Sequence, residues 1–189
     1  MGAVSPVPFA TESFMNLVEK KVIKPTLEGL KAEGIRYQGF IFIGLMNHEG
    51  EPYVIEYNAR MGDPETEVVM PRIESDFLSL LIAVAQVQLK GQTLQISDQF
   101  AVTTMVVAGG YPEEYRKGDV ITNLAQVEEA LIFHAGTKEE DGQIKTQGGR
   151  VMSFTGTSNT LENAIQKSQK AALTVKFEGK NFRRDIGLD

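Results

Sequence analysis

Between residues 37 and 46 the chain reads Tyr37-Gln38-Gly39-Phe40-Ile41-Phe42-Ile43-Gly44-Leu45-Met46, apolar at odd and even positions alike and rich in aromatic and β-branched side chains. An extended run of that kind has no polar face to turn to water, so it predicts a buried strand. Asn47-His48-Glu49-Gly50-Glu51 is turn material, and Pro52 to Ala59 predicts a second strand that closes a hairpin with the first. Along that second strand Tyr53, Ile55 and Tyr57 share one face and are expected in a core; Glu56, Asn58 and Arg60 share the other, about 7 Å apart.

Around the hairpin the pattern is helical. Phe14, Leu17, Val18, Val22 and Ile23, continued by Leu27 and Leu30, predict a helix from Thr11 to a stop at Gly34, with a kink or break at Pro25. Ser75-Asp76 caps a nearly all-apolar helix expected to run from Phe77 to about Leu89, face the core and end at Gly91. Met1-Gly2-Ala3-Val4-Ser5-Pro6-Val7-Pro8 reads as a loop, and as a stretch cut from something longer.

After about Gln95 the texture changes to short strands: Phe100 to Ala108, then segments near 119–121, 130–134, 143–146 and 150–155. A last helix is expected from Asn159, with Glu162 completing a capping box, to about Phe177. The fold class is therefore α+β, with residues 1–94 forming one domain and 95–189 a small β-rich domain that ends in a helix.

Composition closes off several classes of function. Splitting the 19 basic and 25 acidic side chains near residue 94 gives 8 and 12 before it, 11 and 13 after it. Both halves are acidic, which excludes a non-specific nucleic-acid binder. No cysteine is present, so disulfides, thiolate metal sites and a cysteine nucleophile are excluded. No apolar run reaches the ~20 residues of a membrane span and no signal-like start is present, so the expected location is cytoplasmic. Neither a P-loop nor a glycine-rich dinucleotide fingerprint occurs.

The chemistry concentrates in Val54-Ile55-Glu56-Tyr57-Asn58-Ala59-Arg60-Met61-Gly62-Asp63-Pro64-Glu65. A carboxylate and an amide oxygen two residues apart on one strand face can reach one hard cation, and Mg²⁺ is commonly held by one or two protein oxygens plus phosphates and water. Arg60, one step further, suits charge developing on a transferred phosphoryl group. The alternative is a solvated strand face with an internal Glu–Arg pair. Asp63 and Glu65 add two carboxylates, and Pro64 makes Asp63 a candidate helix N-cap. In the second half Lys138, Gly148, Gly149 and Arg150 form a candidate phosphate site, because a glycine pair leaves N–H groups open to an anion and arginine forks onto phosphate. The alternative there is a tight turn with a surface arginine. His134 suits a hydrogen-bonded structural role, and Phe40, Phe42, Tyr53 and Tyr57 suit core packing.

Phe40 to Met46 followed by Val54-Ile55-Glu56-Tyr57-Asn58-Ala59-Arg60-Met61-Gly62-Asp63-Pro64-Glu65-Thr66 closely resembles the phosphoribosylamine–glycine ligase family of ATP-grasp enzymes. The resemblance continues through Ala108-Gly109-Gly110-Tyr111-Pro112, Tyr115 to Asp119, Phe133-His134-Ala135-Gly136-Thr137, Gln147-Gly148-Gly149-Arg150-Val151 and Arg184-Asp185-Ile186-Gly187, and back to Met1–Pro6. It implies the back half of an ATP-grasp fold followed by the family's small carboxy-terminal domain. It implies ATP and Mg²⁺ or Mn²⁺ as cofactors, glycine and 5-phosphoribosylamine as substrates, and the missing amino-terminal part of the same enzyme as partner. By the resemblance, Glu56 and Asn58 match metal ligands, Arg60 matches the arginine at the phosphoryl group, and Asp63 and Glu65 lie where glycine and the amine meet. Related ATP-grasp enzymes suggest Arg150 for the ribose phosphate. Many also carry a carboxylate on the preceding strand, whereas Phe42-Ile43-Gly44-Leu45 has none. Two other readings stand beside this one: a folded fragment or interaction module without turnover, and another ATP-grasp ligase or carboxylase. The last fits Glu56-x-Asn58 but not Gly62-Asp63-Pro64-Glu65.

Overall fold

A computed structural model describes residues 1–188. The chain divides into two compact units that exchange segments in sequence: Pro6–Gly62 with Glu74–Gln95, and Met1–Ser5 with Asp63–Ile73 and the chain from Ile96 onward.

In the first of these units a helical run occupies residues 12–32. Helix α1 (Glu12–Val18) starts at Thr11, whose hydroxyl accepts the Phe14 N–H at 3.3 Å. Helix α2 (Lys24–Ala32) ends in a Schellman arrangement at Gly34 (φ 69°), where the Ile35 N–H reaches the Leu30 carbonyl and the Gly34 N–H reaches Lys31. The expected break at Pro25 takes a specific form. Residues Glu19–Ile23 open into one π turn, in which the Lys24 N–H bonds to the Glu19 carbonyl five residues back. A proline has no N–H for the carbonyl four residues back and its ring crowds that carbonyl, so widening the preceding turn lets the helix continue through Pro25.

Strands β2 (Phe42–His48) and β3 (Glu51–Asn58) form the expected hairpin, joined by Glu49 and Gly50, both at positive φ as a tight two-residue turn requires. The first strand is shorter than expected because Gly39 (φ 133°) and the hydrogen bond from Tyr37 Oη to the Phe40 carbonyl fold the chain before Phe42. The expectation that Tyr53, Ile55 and Tyr57 lie in a core is not met: they are 56, 65 and 50% exposed. The sheet is two strands wide, too narrow to cover them. Helix α4 (Phe77–Ala85) starts at Asp76 as expected but ends six residues before Gly91, with Val87 in the left-handed region at φ 58°. It is not core-facing throughout either, since Leu78 is 66% exposed and Ala83 is its one buried residue.

The second unit is built on an antiparallel sheet in the order β1-β4-β8-β5, from Gly2–Ser5, Phe100–Val107, Arg150–Ser158 and Leu131–His134. The amino-terminal segment, read as a loop, is therefore an edge strand. Pro6 and Pro8 fall just outside it, so its N–H groups remain available for the β4 ladder. Helix α5 (Leu161–Thr174) is capped by the Thr160 hydroxyl, which accepts the Asn163 N–H, one residue later than the capping box expected at Asn159. Val106, Met152 and Phe154 pack against Ala171, Ala172 and Val175 in the main core. Where β8 meets α5, the Ser168 hydroxyl donates to the Phe154 carbonyl at 2.8 Å and lies 2.7 Å from the Thr104 hydroxyl, satisfying the polar atoms of this buried layer. The opposite face of the sheet carries the one-turn helix α3 (Thr66–Val69), with Val68 buried and the Glu67 carbonyl accepting from the Thr155 hydroxyl at 3.0 Å. A further hairpin pairs β6 (Thr137–Glu140) with β7 (Gln143–Thr146). Among the described residues no helix is long and apolar enough to cross a membrane.

Candidate functional site

Strand β3 lays Glu56 and Asn58 on one face, as period-two alternation requires, and the structure joins them: Asn58 Nδ2 donates to Glu56 Oε1 at 2.8 Å. Opposite Gly44, β3 carries a bulge: Gly44 pairs with Glu56 and Leu45 with Val54, so Ile55 is the extra residue. A Cβ at Gly44 would stand 3.1 Å from Glu56 Cγ, so the glycine leaves room for the carboxylate to lie across the ribbon. The Glu56–Asn58 bond leaves Glu56 Oε2 and Asn58 Oδ1 as oxygens it does not use. Among the described residues no cluster of three acidic, histidine or cysteine side chains could hold a metal. This donor set fits a magnesium-type ion that takes its remaining ligands from phosphate and water, and does not fit an all-protein cage. Arg60 bonds to the Met61 carbonyl at 3.1 Å, so the guanidinium is held near the strand end and not in a pair with Glu56. Asn58 also borders an apolar cavity of about 500 Å³ walled by Pro25, Leu30, Ile35, Tyr37 and Tyr57.

The predicted cluster divides at the boundary between units. Glu56, Asn58 and Arg60 belong to the hairpin unit, and Asp63 and Glu65 to the other. Asp63 is not the N-cap expected of it. The helical turn starts beyond it, with the Glu67 N–H on the Pro64 carbonyl, and the Asp63 side chain faces Arg150 instead. Arg150 Nη1 lies 3.1 Å from the Asp63 carbonyl oxygen, 3.4 Å from Asp63 Oδ1 and 3.6 Å from Met1 Sδ.

Of the four residues expected to hold a phosphate, Arg150 is the one that meets another predicted site residue. Lys138 is paired with Glu140 on its own strand at 3.0 Å. The Gly148 N–H is spent on the Gly136 carbonyl at 3.0 Å, and Gly149 lies under two rings: a Cβ there would come within 2.2 Å of Tyr111. The glycine pair thus serves close backbone packing beside Arg150. His134 Nδ1 lies 2.9 Å from the Thr137 hydroxyl, in the structural role expected of it.

Glu67 was missed. Its Oε2 is buried and has no hydrogen-bond partner among the described residues. Burial pushes its carboxyl above the usual range and the neighbouring Asp63 and Glu65 push the same way, while its own backbone N–H and the Arg150 charge oppose them. The sequence signal was present, because Glu67 follows Asp63 and Glu65 at two-residue steps in the same run. Nothing in that run showed which carboxylate turns inward.

The comparisons with known proteins agree in both units. Residues 1–66 match the family model "Phosphoribosylglycinamide synthetase, ATP-grasp (A) domain", and residues 101–189 match "Phosphoribosylglycinamide synthetase, C domain". The chain belongs to the phosphoribosylglycinamide synthetase family. A phosphoribosylamine–glycine ligase of Chlorobaculum tepidum is 42% identical over 99% of this chain and 45% of its own length. The crystal structure of a phosphoribosylamine–glycine ligase from Thermotoga maritima superimposes with a TM-score of 0.86 at 41% identity, covering 98% of this chain and 46% of that one. The chain thus spans a little under half the length of these relatives. An N5-carboxyaminoimidazole ribonucleotide synthetase from Thermotoga maritima, 16% identical, has a TM-score of 0.60 over 93% of this chain and 45% of its own, a likeness of fold alone. The α+β expectation agrees with these superpositions.

Proposed function

We propose that this chain is a portion of a cytoplasmic ATP-dependent ligase of purine biosynthesis that joins glycine to 5-phosphoribosylamine. On this reading residues 1–94 contribute the back of the ATP-grasp unit and residues 95–189 the small domain beyond it. In the reaction, the γ-phosphoryl group of ATP passes to the glycine carboxylate, releasing ADP. The amine of 5-phosphoribosylamine then attacks the acyl phosphate, loses a proton and expels inorganic phosphate as the amide forms.

The observation that carries the reading is the bonded Glu56–Asn58 pair on β3, with two oxygens left over. Glu56 Oε2 and Asn58 Oδ1 would hold Mg²⁺ or Mn²⁺. Such an ion, when bound, neutralises charge on the nucleotide phosphates. Arg60, at the end of the same strand, meets the negative charge on the phosphoryl group in flight, an interaction stronger in the transition state than in the ground state. Asp63 and Glu65 hold the amine-bearing substrates, and Arg150, alone of the four residues expected at the phosphate, takes the ribose phosphate. The test is ADP formation by the complete polypeptide. Dependence on glycine and 5-phosphoribosylamine together supports the assignment, and dependence on bicarbonate in place of glycine overturns it in favour of a carboxylase.

The exposure of Tyr53, Ile55 and Tyr57 favours a second reading for the chain in isolation: a folded fragment without turnover whose apolar surface drives self-association. Sedimentation of the chain alone tests it, with a concentration-independent monomer as the opposing result.

A further inference from the structure

We propose that Asp63 occupies the phosphate position on Arg150, and that a phosphomonoester arriving there displaces the Asp63 carboxylate and frees it for the amine on the same molecule. This rests on the reading of Arg150 and Asp63 given above and adds an exchange between them. The two residues expected to meet opposite ends of one substrate are bonded to each other instead.

The geometry of the pair favours an exchange. Both contacts to Asp63 come from one guanidinium nitrogen, Nη1, at 3.1 Å to the backbone oxygen and 3.4 Å to Oδ1. The shorter bond is to the backbone, so the turn at Asp63 stays anchored when the side chain leaves. The side-chain bond is long for a charge-assisted pair and its members are 37% and 50% exposed, the setting in which ion pairs contribute little. A phosphate dianion meeting the same guanidinium stands within a few ångströms of the Asp63 carboxylate, and like charges that close repel strongly. Glu67 adds to the repulsion, since Arg150 also lies within electrostatic reach of its carboxyl. A dianion on Arg150 therefore turns Asp63 away, and an amine tethered to that dianion is the cation nearest to receive it. An amine without a phosphate leaves Asp63 tied to Arg150, so the exchange selects phosphorylated amines.

Calorimetric titration of the whole chain with ribose 5-phosphate, which carries the phosphate but no amine, tests this. Asp63→Asn removes the competing charge and is expected to tighten binding about two- to fivefold, the range set by an exposed pair. Arg150→Ala is expected to weaken it at least tenfold; Arg150→Lys, which keeps the charge but loses the fork, serves if the alanine variant unfolds. The Asp63 carboxyl carbon resonance is expected to move on saturation in the parent chain and to stay still in the Arg150 variant. Unchanged or weaker binding by Asp63→Asn, a stationary Asp63 resonance, or no binding by any variant overturns the exchange. If Arg150→Ala weakens binding while Asp63→Asn does nothing, the exchange fails and the phosphate role of Arg150 stands. If Arg150→Ala binds as the parent does, both fail.

Discussion

Gly136 and Gly148 cross so closely that the backbone beside Arg150 depends on both lacking a side chain. A Cβ at Gly136 would stand 2.5 Å from the Arg150 carbonyl oxygen, 2.6 Å from Gly148 Cα and 2.7 Å from Gly148 N. All three are backbone atoms, so no rotamer change relieves the overlap. The strands would have to separate, and three bonds span the crossing: Gly136 N–H to Arg150 O at 2.8 Å, and Gln147 and Gly148 N–H to Gly136 O at 2.7 and 3.0 Å. Overpacking costs about 1–3 kcal/mol, and losing one of these bonds about 1 kcal/mol more. Gly136→Ala should therefore destabilise the chain by about 2–4 kcal/mol. With a urea slope of about 2 kcal/mol/M, the unfolding midpoint falls by about 1–2 M, read by circular dichroism. Gly142→Ala is the control. It has open space around its Cβ and a φ of 70°, so it carries only the left-handed penalty of about 1 kcal/mol. A Gly136→Ala midpoint equal to that of Gly142→Ala refutes the steric reasoning.

Three further outcomes follow from named contacts. Glu67 has a folded pKa raised above its unfolded value of 4.5, so the native state binds the extra proton and stability falls as pH rises above that value. Glu67→Gln should flatten this slope in urea titrations between pH 4 and 8 and be more stable than the parent at neutral pH; an unchanged slope contradicts the buried carboxyl. Glu140 behaves in the opposite sense, because hydrogen bonds from Lys145 and Lys138 lower its pKa to about 2. Its contribution is present above pH 4.5 and is lost as pH falls toward 2, and Glu140→Gln should remove that acid-range loss while leaving the midpoint at high salt nearly unchanged. In the complete polypeptide, Arg60→Ala should lower kcat about 100-fold or more while ATP affinity changes little, and a matching loss of ATP affinity counts against a transition-state role.

The hairpin and the placing of Glu56 beside Asn58 were legible because they are local. A two-residue turn at Glu49-Gly50 and the alternation of Glu56 and Asn58 need only neighbours in sequence. What escaped depends on partners far along the chain. Gly2–Ser5 becomes a strand because β4 lies beside it, about a hundred residues on. Tyr53, Ile55 and Tyr57 have the pattern of a core face, yet burial requires a second layer that alternation cannot supply. The glycine pair at 148–149 reads equally as an anion nest or a close crossing, and Gly136 decides for the crossing. Pro64 beside it points Asp63 to a helix end, whereas its side chain is set by Arg150, 87 residues away.

A metal held by β3 is tested most directly by the magnesium dependence of glycine-dependent ADP formation in the complete polypeptide, compared between the parent and Glu56→Gln. Glu56→Gln keeps the size of the side chain and its hydrogen-bonding reach toward Asn58 but removes the anionic oxygens. The magnesium concentration for half-maximal rate is expected to rise at least tenfold, with Mn²⁺ shifted in the same direction. A saturation curve identical to the parent's would contradict the assignment of β3 as the metal-bearing strand.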